Sequence, residues 1–186
     1  MNFSAVILAG GKSSRMGRDK AFIEIGGRTL LDRQIDTLVA ADVEDILISG
    51  RPDADYAAFG CSVLVDEFPG AGPLAGIHAA LKHSKRPLLL ALAVDLPEMN
   101  TPFLRSLLMA AAEMGVVPRI GGRVEPLTAV YPRAATALLE TMLAQGQFAA
   151  RDFAEACVRG GLAAYEDLPE DFARLFKNVN SPDDLP

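Results

Sequence analysis

A chain of 186 residues, half of them apolar, is large enough to bury a substantial core and too apolar to be disordered. Its formal net charge of −6 argues against a broad nucleic-acid surface, and its longest clean apolar run, residues 88–94, is too short to span a bilayer. Cys61 and Cys157 lack metal-ligand spacing, and no basic region followed by a long apolar segment opens the chain. These features predict a cytoplasmic protein with reduced thiols, no membrane partner and no nucleic-acid partner, forming a single domain over residues 1–186.

Residues 3–8 form a short apolar run that reads as a buried strand. Directly after it comes Leu8-Ala9-Gly10-Gly11-Lys12-Ser13-Ser14-Arg15-Met16-Gly17-Arg18-Asp19-Lys20. Adjacent glycines can bring backbone N–H groups close to an anion, and Lys12, Arg15, Arg18 and Lys20 reverse the sign of an otherwise acidic chain. The stretch reads as a loop that cradles a polyphosphate. It is not a Walker A loop, because the position five residues before Gly11 is Val6, nor a dinucleotide fingerprint, because Lys12 and Ser13 stand where a second glycine belongs.

Residues 21–25 alternate as a strand would, and Gly26-Gly27 turns the chain. Thr29 is placed to cap a helix with Asp32 at its third position and Leu31, Ile35, Leu38 and Val39 along one face. Residues 46–48 and 61–65 have the short, β-branched character of parallel strands covered on two faces. Pro73 suits the first turn of a helix that buries Leu74, Ile77 and Leu81; His78 beside them reads as a packed histidine, and His83 as a favourable dipole contact. Residues 87–94 predict the central strand, ending in Asp95, and Thr101 is placed to cap the next helix. Residues 116–120, a Gly121-Gly122 turn and residues 123–131 suggest an antiparallel excursion; helices over 133–144 and 148–158 and a short strand over 162–165 complete the chain. The predicted fold is α/β, a three-layer, mostly parallel sheet with helices on both faces and an antiparallel excursion in the second half.

Ligands of open parallel sheets bind at the carboxyl ends of the strands, where the basic loop, Asp66 and Asp95 all fall. Asp66 suits a turn as well as a ligand. Asp95 closes the most buried strand and reads as a Mg2+ ligand, since a cation carrying a polyphosphate needs only one or two protein carboxylates.

The pattern Leu8-Ala9-Gly10-Gly11-x-Ser13-x-Arg15-Met16-Gly17-x-Asp19-Lys20 resembles the signature loop of nucleotidyltransferases of Rossmann-like fold, and more narrowly that of molybdenum cofactor guanylyltransferases. Residues 72–76, Asp95-Leu96-Pro97, residues 125–131 and residues 178–182 extend the resemblance along the whole chain. It implies a nucleotide-diphospho-sugar transferase-like fold and transfer of GMP from GTP to the terminal phosphate of molybdopterin, with release of pyrophosphate. It further implies that Leu8, Ala9, Gly10 and Gly11 bind the nucleotide through backbone groups, and that Lys20 and Arg15 neutralise its phosphates. Asp66 would lie near the guanine or its ribose, Asp95 would hold Mg2+, and Asn178 and Asn180 would face molybdopterin. Further implied partners are the proteins that make and accept the molybdenum cofactor. One departure is Gly50, where family members often carry an asparagine that contacts guanine. Alternatives are cytidylyl transfer to molybdopterin, nucleotidyl transfer to a sugar phosphate, and a nucleotide-binding regulator without catalysis.

Overall fold

The first strand, β1 (Phe3–Leu8), is buried along its whole length, as its unbroken apolar pattern requires. A computed structural model describes residues 3–10, 19–51, 54–111 and 114–179. Residues 21–25 do not form the expected strand. The Asp19 side chain accepts the Ala21 N–H at 3.0 Å and winds Lys20–Phe22 into a 3-10 turn. Only β2 (Glu24–Ile25) remains to pair with β3 (Arg28–Thr29) across Gly26-Gly27.

Helix α1 (Leu30–Ala40) opens with the predicted cap: Thr29 Oγ1 accepts the Asp32 N–H at 3.0 Å, and Asp32 Oδ2 accepts the Thr29 N–H at 3.4 Å. Its buried face is Leu30, Leu31, Gln34 and Leu38, while Val39 is 58% exposed. Val39 is turned about 100° from Leu38 along the helix, and the inward place goes to Gln34, whose amide donates to the Leu96 carbonyl at 2.8 Å. β4 (Asp45–Ser49) and β5 (Ser62–Leu64) follow. β5 was expected to be covered on both faces, yet Val63 is 47% exposed and Val65 beyond it 84%. Among the described residues it is an edge strand pairing only with β4, and its β-branched residues report strand geometry rather than burial.

Helix α2 (Pro73–His83) starts at Gly72, whose φ of +62° few other residues would adopt, and buries Leu74, Ile77 and Leu81. His78 is packed as expected, edge-on to Phe68 and with Nε2 3.2 Å from Glu140; the His83 ring lies 2.8 Å from the Ala79 carbonyl. β6 (Leu88–Ala93) is the central strand, followed by α3 (Thr101–Ala110). The cap of α3 is Asn100, which accepts the Phe103 N–H at 3.0 Å; Thr101 is already inside the first turn. Next come β7 (Gly115–Ile120), β8 (Arg123–Val124), β9 (Thr128–Pro132), α4 (Thr136–Ala144), α5 (Ala150–Arg159) and β10 (Ala163–Leu168). A 3-10 segment, Glu170–Phe176, then returns to pack on α3 through Phe103. Cys157 is buried within α5, where desolvation raises its thiol to about 12, well into the inert range.

The sheet order is β10-β7-β9-β6-β1-β4-β5, with β8 attached to β7. The crossover from β6 through α3 to β7 skips one place, and β9 folds back to fill it, antiparallel to both neighbours. The remaining pairings of the main path are parallel. One core holds α1, α3 and residues 170–176 against one face; a second holds α2, α4 and α5 against the other. This is the predicted three-layer α/β architecture. Because β7 and β6 run the same way, the carboxyl ends of β4, β1, β6 and β7 emerge along one side of the sheet. No helix among the described residues is long and apolar enough to cross a membrane.

Candidate active site

Where β1 and β6 end side by side, their following residues form a cleft. Leu8, Ala9, Gly10, Lys20, Pro73, Ala93, Val94, Asp95, Leu127 and Asn178 line a cavity of about 220 Å³. In its lining Lys20 Nζ stands 2.7 Å from Asp95 Oδ2, with the two side chains only 19% and 15% exposed. The parallel register of β1 and β6 sets Leu8 beside Ala93, which delivers Asp95 two residues later. The Asp19 cap aims the turn that carries Lys20, and the Val94 N–H donates to the Leu8 carbonyl at 3.3 Å. The C-terminal segment is fastened to the same point, since the Val179 N–H donates to the Asp95 carbonyl at 3.0 Å. Lys20, Asp95, the 8–10 backbone and Asn178, expected at one site from sequence, thus meet at one. Gly11, Arg15 and Asn180 lie outside the described residues.

One expectation needs correction. The N–H groups of Ala9 and Gly10 do not point at a ligand: both donate to the Ser49 carbonyl, at 2.8 and 2.9 Å. These bonds lash the end of β1 to the end of β4, so the donors at 9 and 10 serve the scaffold. A Cβ at Gly10 would lie 3.4 Å from the Gly50 carbonyl oxygen, so the glycine serves close packing of the two strand ends. Leu8, Ala9 and Gly10 still line the cleft, with those two N–H groups already engaged.

Asp66 is set apart from the Lys20–Asp95 pair, beyond the end of β5 and two strands from β1. Its Oδ1 is buried without a hydrogen-bond partner, and burial raises its carboxyl above the usual carboxylate range, offset in part by the Ser49 hydroxyl. A shielded carboxylate short of donors is suited to a ligand that brings donors of its own. Gly76 belongs to the same corner: a Cβ there would meet Ser49 Oγ at 2.1 Å, so glycine lets α2 seat against β4. Pro73 in the cleft wall marks the start of α2, the end of a helix that favours anions.

Tyr56 was not singled out from sequence. Its ring is 2% exposed and stacks on Phe22 at 5.5 Å. Its hydroxyl accepts the Arg51 N–H at 3.0 Å and donates to Asp19 Oδ2 at 2.7 Å. It thereby ties the chain after β4 to the residue that caps the Lys20 turn. Burial, opposed by the Arg51 N–H and helped by the Asp19 carboxylate, pushes the phenol up to about 12, so it stays a donor throughout the physiological range. The ring also accounts for Gly50: a Cβ there would fall 2.2 Å from Tyr56 Cε2. An asparagine side chain at position 50 has no room beside that ring. A tyrosine six residues after that glycine was the only trace of this in the sequence.

For a metal, among the described residues no three His, Cys, Asp or Glu side chains gather closely enough to form a cage. A single hard carboxylate at Asp95 suits a cation whose remaining ligands are phosphate oxygens and water, and one ammonium contact does not exhaust a carboxylate's acceptor capacity. The donor set therefore fits Mg2+ accompanied by a polyphosphate.

A family model described as a MobA-like NTP transferase domain matches residues 5–160. A protein of Opitutus terrae named probable molybdenum cofactor guanylyltransferase is 37% identical over 185 residues, covering 97% of this chain and 92% of its own. A molybdenum cofactor guanylyltransferase of Syntrophotalea carbinolica is 33% identical over 188 residues, covering 98% and 88%. Among solved structures, the molybdopterin-guanine dinucleotide biosynthesis protein A of Archaeoglobus fulgidus superposes with a TM-score of 0.72 at 24% identity, covering 97% of this chain and 94% of that one. The 2-C-methyl-D-erythritol 4-phosphate cytidylyltransferase of Thermus thermophilus gives 0.74 at 22% identity, covering 99% and 95%. At those identities the two structures speak to the fold, which is that of nucleotidyltransferases.

Proposed function

The chain belongs to the family of MobA-like NTP transferase domains, and on that premise we propose that it transfers GMP from GTP to the terminal phosphate of molybdopterin. The observation that carries the reading is the Lys20–Asp95 pair, 2.7 Å apart in a cleft floored by the 8–10 backbone. Relatives named guanylyltransferases at more than 30% identity supply the substrates.

In the reaction an oxygen of the molybdopterin phosphate bonds to the α-phosphorus of GTP, the bond from that phosphorus to the bridging oxygen breaks, and pyrophosphate leaves. The attacking phosphate is already largely ionised at neutral pH, its second pKa being about 6, so the protein need not supply a general base. What it must supply is alignment and neutralisation of two anions that repel each other. Lys20 is held by Asp95 and by the Asp19-capped turn, so its ammonium is positioned before substrate arrives. The start of α2 adds a favourable field, and Arg15 from the signature loop a second cation. Asp66, with its unpartnered buried oxygen, accepts from the N1–H and 2-amino group of guanine. Asn178, on the segment held by the Val179–Asp95 bond, faces the acceptor phosphate, and Asn180 is assigned to the same substrate from the sequence resemblance alone. Mg2+ would be held by Asp95 and would neutralise charge on the triphosphate.

The test is a transfer assay with molybdopterin and each nucleoside triphosphate in turn. Pyrophosphate release with GTP that depends on molybdopterin is the expected result. Equal turnover with CTP would remove the guanine assignment, and none with any triphosphate would remove the reaction.

A further inference from the structure

The segment from Glu125 to Tyr131 belongs to the sequence pattern, yet only Leu127 of it lines the nucleotide cleft. A second cavity, of about 470 Å³, lies at the same side of the sheet. Ile120, Arg123, Glu125, Glu170, Phe176 and Lys177 line much of it. Glu125 is two residues from Leu127, and Lys177 adjoins Asn178, so the 125–127 and 177–178 segments each border both cavities. Main-chain bonds fix this junction: the Ala93 N–H donates to the Leu127 carbonyl at 2.8 Å, and the Glu125 N–H to the Pro118 carbonyl at 2.9 Å. β7, whose end borders the second cavity, is two places from β6, about 10 Å at ordinary strand spacing. That span is of the order of the length of molybdopterin from its phosphate to its far ring.

Glu125 stands out within this cavity. Its side chain is only 15% exposed, and the Arg123 guanidinium, 3.0 Å from Oε1, is its one charged side-chain partner among the described residues. Burial raises its carboxyl above the ordinary glutamate range, against the pull of Arg123. It shares that condition with Asp66 on the opposite side of the Lys20–Asp95 pair. The cleft thus carries a shielded carboxylate to each side of its phosphate-binding centre: Asp66 with one oxygen unpartnered, and Glu125 with an exposed arginine on one oxygen. The product of the proposed reaction carries two 2-amino-4-oxopyrimidine rings, guanine and pterin, one at each end of a pyrophosphate. Each presents a ring N–H and an amino N–H side by side, the pair of donors that the two oxygens of a carboxylate accept together.

We propose that the second cavity seats the pterin of the acceptor and that Glu125 recognises it, accepting hydrogen bonds from N3–H and the 2-amino group. Arg123 steadies the carboxylate from the other side. The inference rests on molybdopterin as acceptor, and its test reads binding separately from transfer.

The probes are 6-hydroxymethylpterin and the matching lumazine, in which an oxo group replaces the 2-amino group, with binding followed by ligand fluorescence in the presence of GTP. The unaltered protein should bind the pterin at least about tenfold more tightly than the lumazine, the expected worth of a lost charge-assisted hydrogen bond. Glu125→Gln offers one acceptor and one donor and should bring that preference below about threefold. Glu125→Ala should weaken pterin binding and raise the KM for molybdopterin about 10- to 100-fold, leaving the melting shift given by GTP unchanged. No pterin preference in the unaltered protein, or an undiminished preference in both variants, overturns the proposal. A normal KM for molybdopterin in Glu125→Ala removes the subsite and leaves the reaction standing. Glu125-dependent pterin preference in a protein that transfers nothing keeps the subsite and removes the reaction.

Discussion

Gly50→Ala isolates the part of the site that sequence hid. The new Cβ would lie 2.2 Å from Tyr56 Cε2, 2.4 Å from Cζ and 2.7 Å from the hydroxyl, all on one rigid ring that is 2% exposed. The ring cannot swing to solvent without giving up its stacking on Phe22 and its bonds to Asp19 and the Arg51 N–H. Overpacking a filled site costs about 1–3 kcal/mol. If the ring is displaced, loss of the hydrogen bond to the Asp19 carboxylate adds about 1.5 kcal/mol, the low end for a charged partner, because water can reach Asp19. A total of about 2.5–4.5 kcal/mol lowers the melting temperature by roughly 5–18 °C in a chain of this size. The same displacement frees Asp19 and with it the Lys20 turn, so GTP binding should weaken as well. Urea unfolding and GTP titration of Gly50→Ala, Tyr56→Leu and the double variant form a cycle. In the Tyr56→Leu background the alanine should cost little, since the ring it strikes is gone. An equal cost in both backgrounds would refute the steric account, and unaltered GTP affinity in Gly50→Ala would refute the link from Tyr56 to Lys20.

Asp95→Asn should fold and melt within a few degrees of the parent, because asparagine keeps the shape of the side chain and an acceptor for Lys20, while transfer falls about 100-fold or more; normal turnover by rapid quench would remove Asp95 from the chemistry. Lys20→Ala should lower transfer by about 100- to 1000-fold and weaken GTP binding, as loss of a preorganised cation does; unchanged kinetics would make Lys20 a solvated loop residue. Asp66 follows a different logic. Its carboxyl is raised by burial, so the folded protein holds that proton more tightly than the unfolded chain. The charge therefore destabilises the fold, and the cost grows as pH rises from the unfolded pKa through the folded one. Asp66→Asn should raise the melting temperature of the nucleotide-free protein at neutral pH, leave it little changed in acid, and weaken GTP binding. A lower melting temperature at neutral pH would show that the carboxylate is satisfied in the fold. Asp45 has the opposite sign: the Ser4 hydroxyl and Lys85 outweigh burial and hold it below the usual range. Asp45→Asn should cost stability at neutral pH, an effect that fades as pH falls through the folded pKa of Asp45.

Much of the molecule was legible because it rests on local chemistry. The Thr29–Asp32 capping box, Pro73 at a helix start, the unbroken 88–93 run and the Gly121-Gly122 turn each specify a conformation from a few neighbouring residues. The alternation of such elements gives a parallel sheet with helices on both faces, and the order of charged residues places Lys20 and Asp95 at strand ends. Proximity of those two followed from topology, before any side-chain position was known.

What the sequence could not determine is what each polar group does once its neighbours are fixed. The N–H groups of Ala9 and Gly10 read as anion donors until the register of β1 against β4 gave both to the Ser49 carbonyl. β5 reads as a core strand, yet its place at the end of the sheet leaves it exposed. Gly50 reads as a lost base contact until the Tyr56 ring is seen to fill its space. Glu125 and Asp66 have nothing in common along the chain and acquire their shared character only through burial. Propensity and pattern act over a few residues and are written in the sequence. Desolvation, register and steric exclusion depend on groups dozens of residues apart, and only the tertiary structure brings those together.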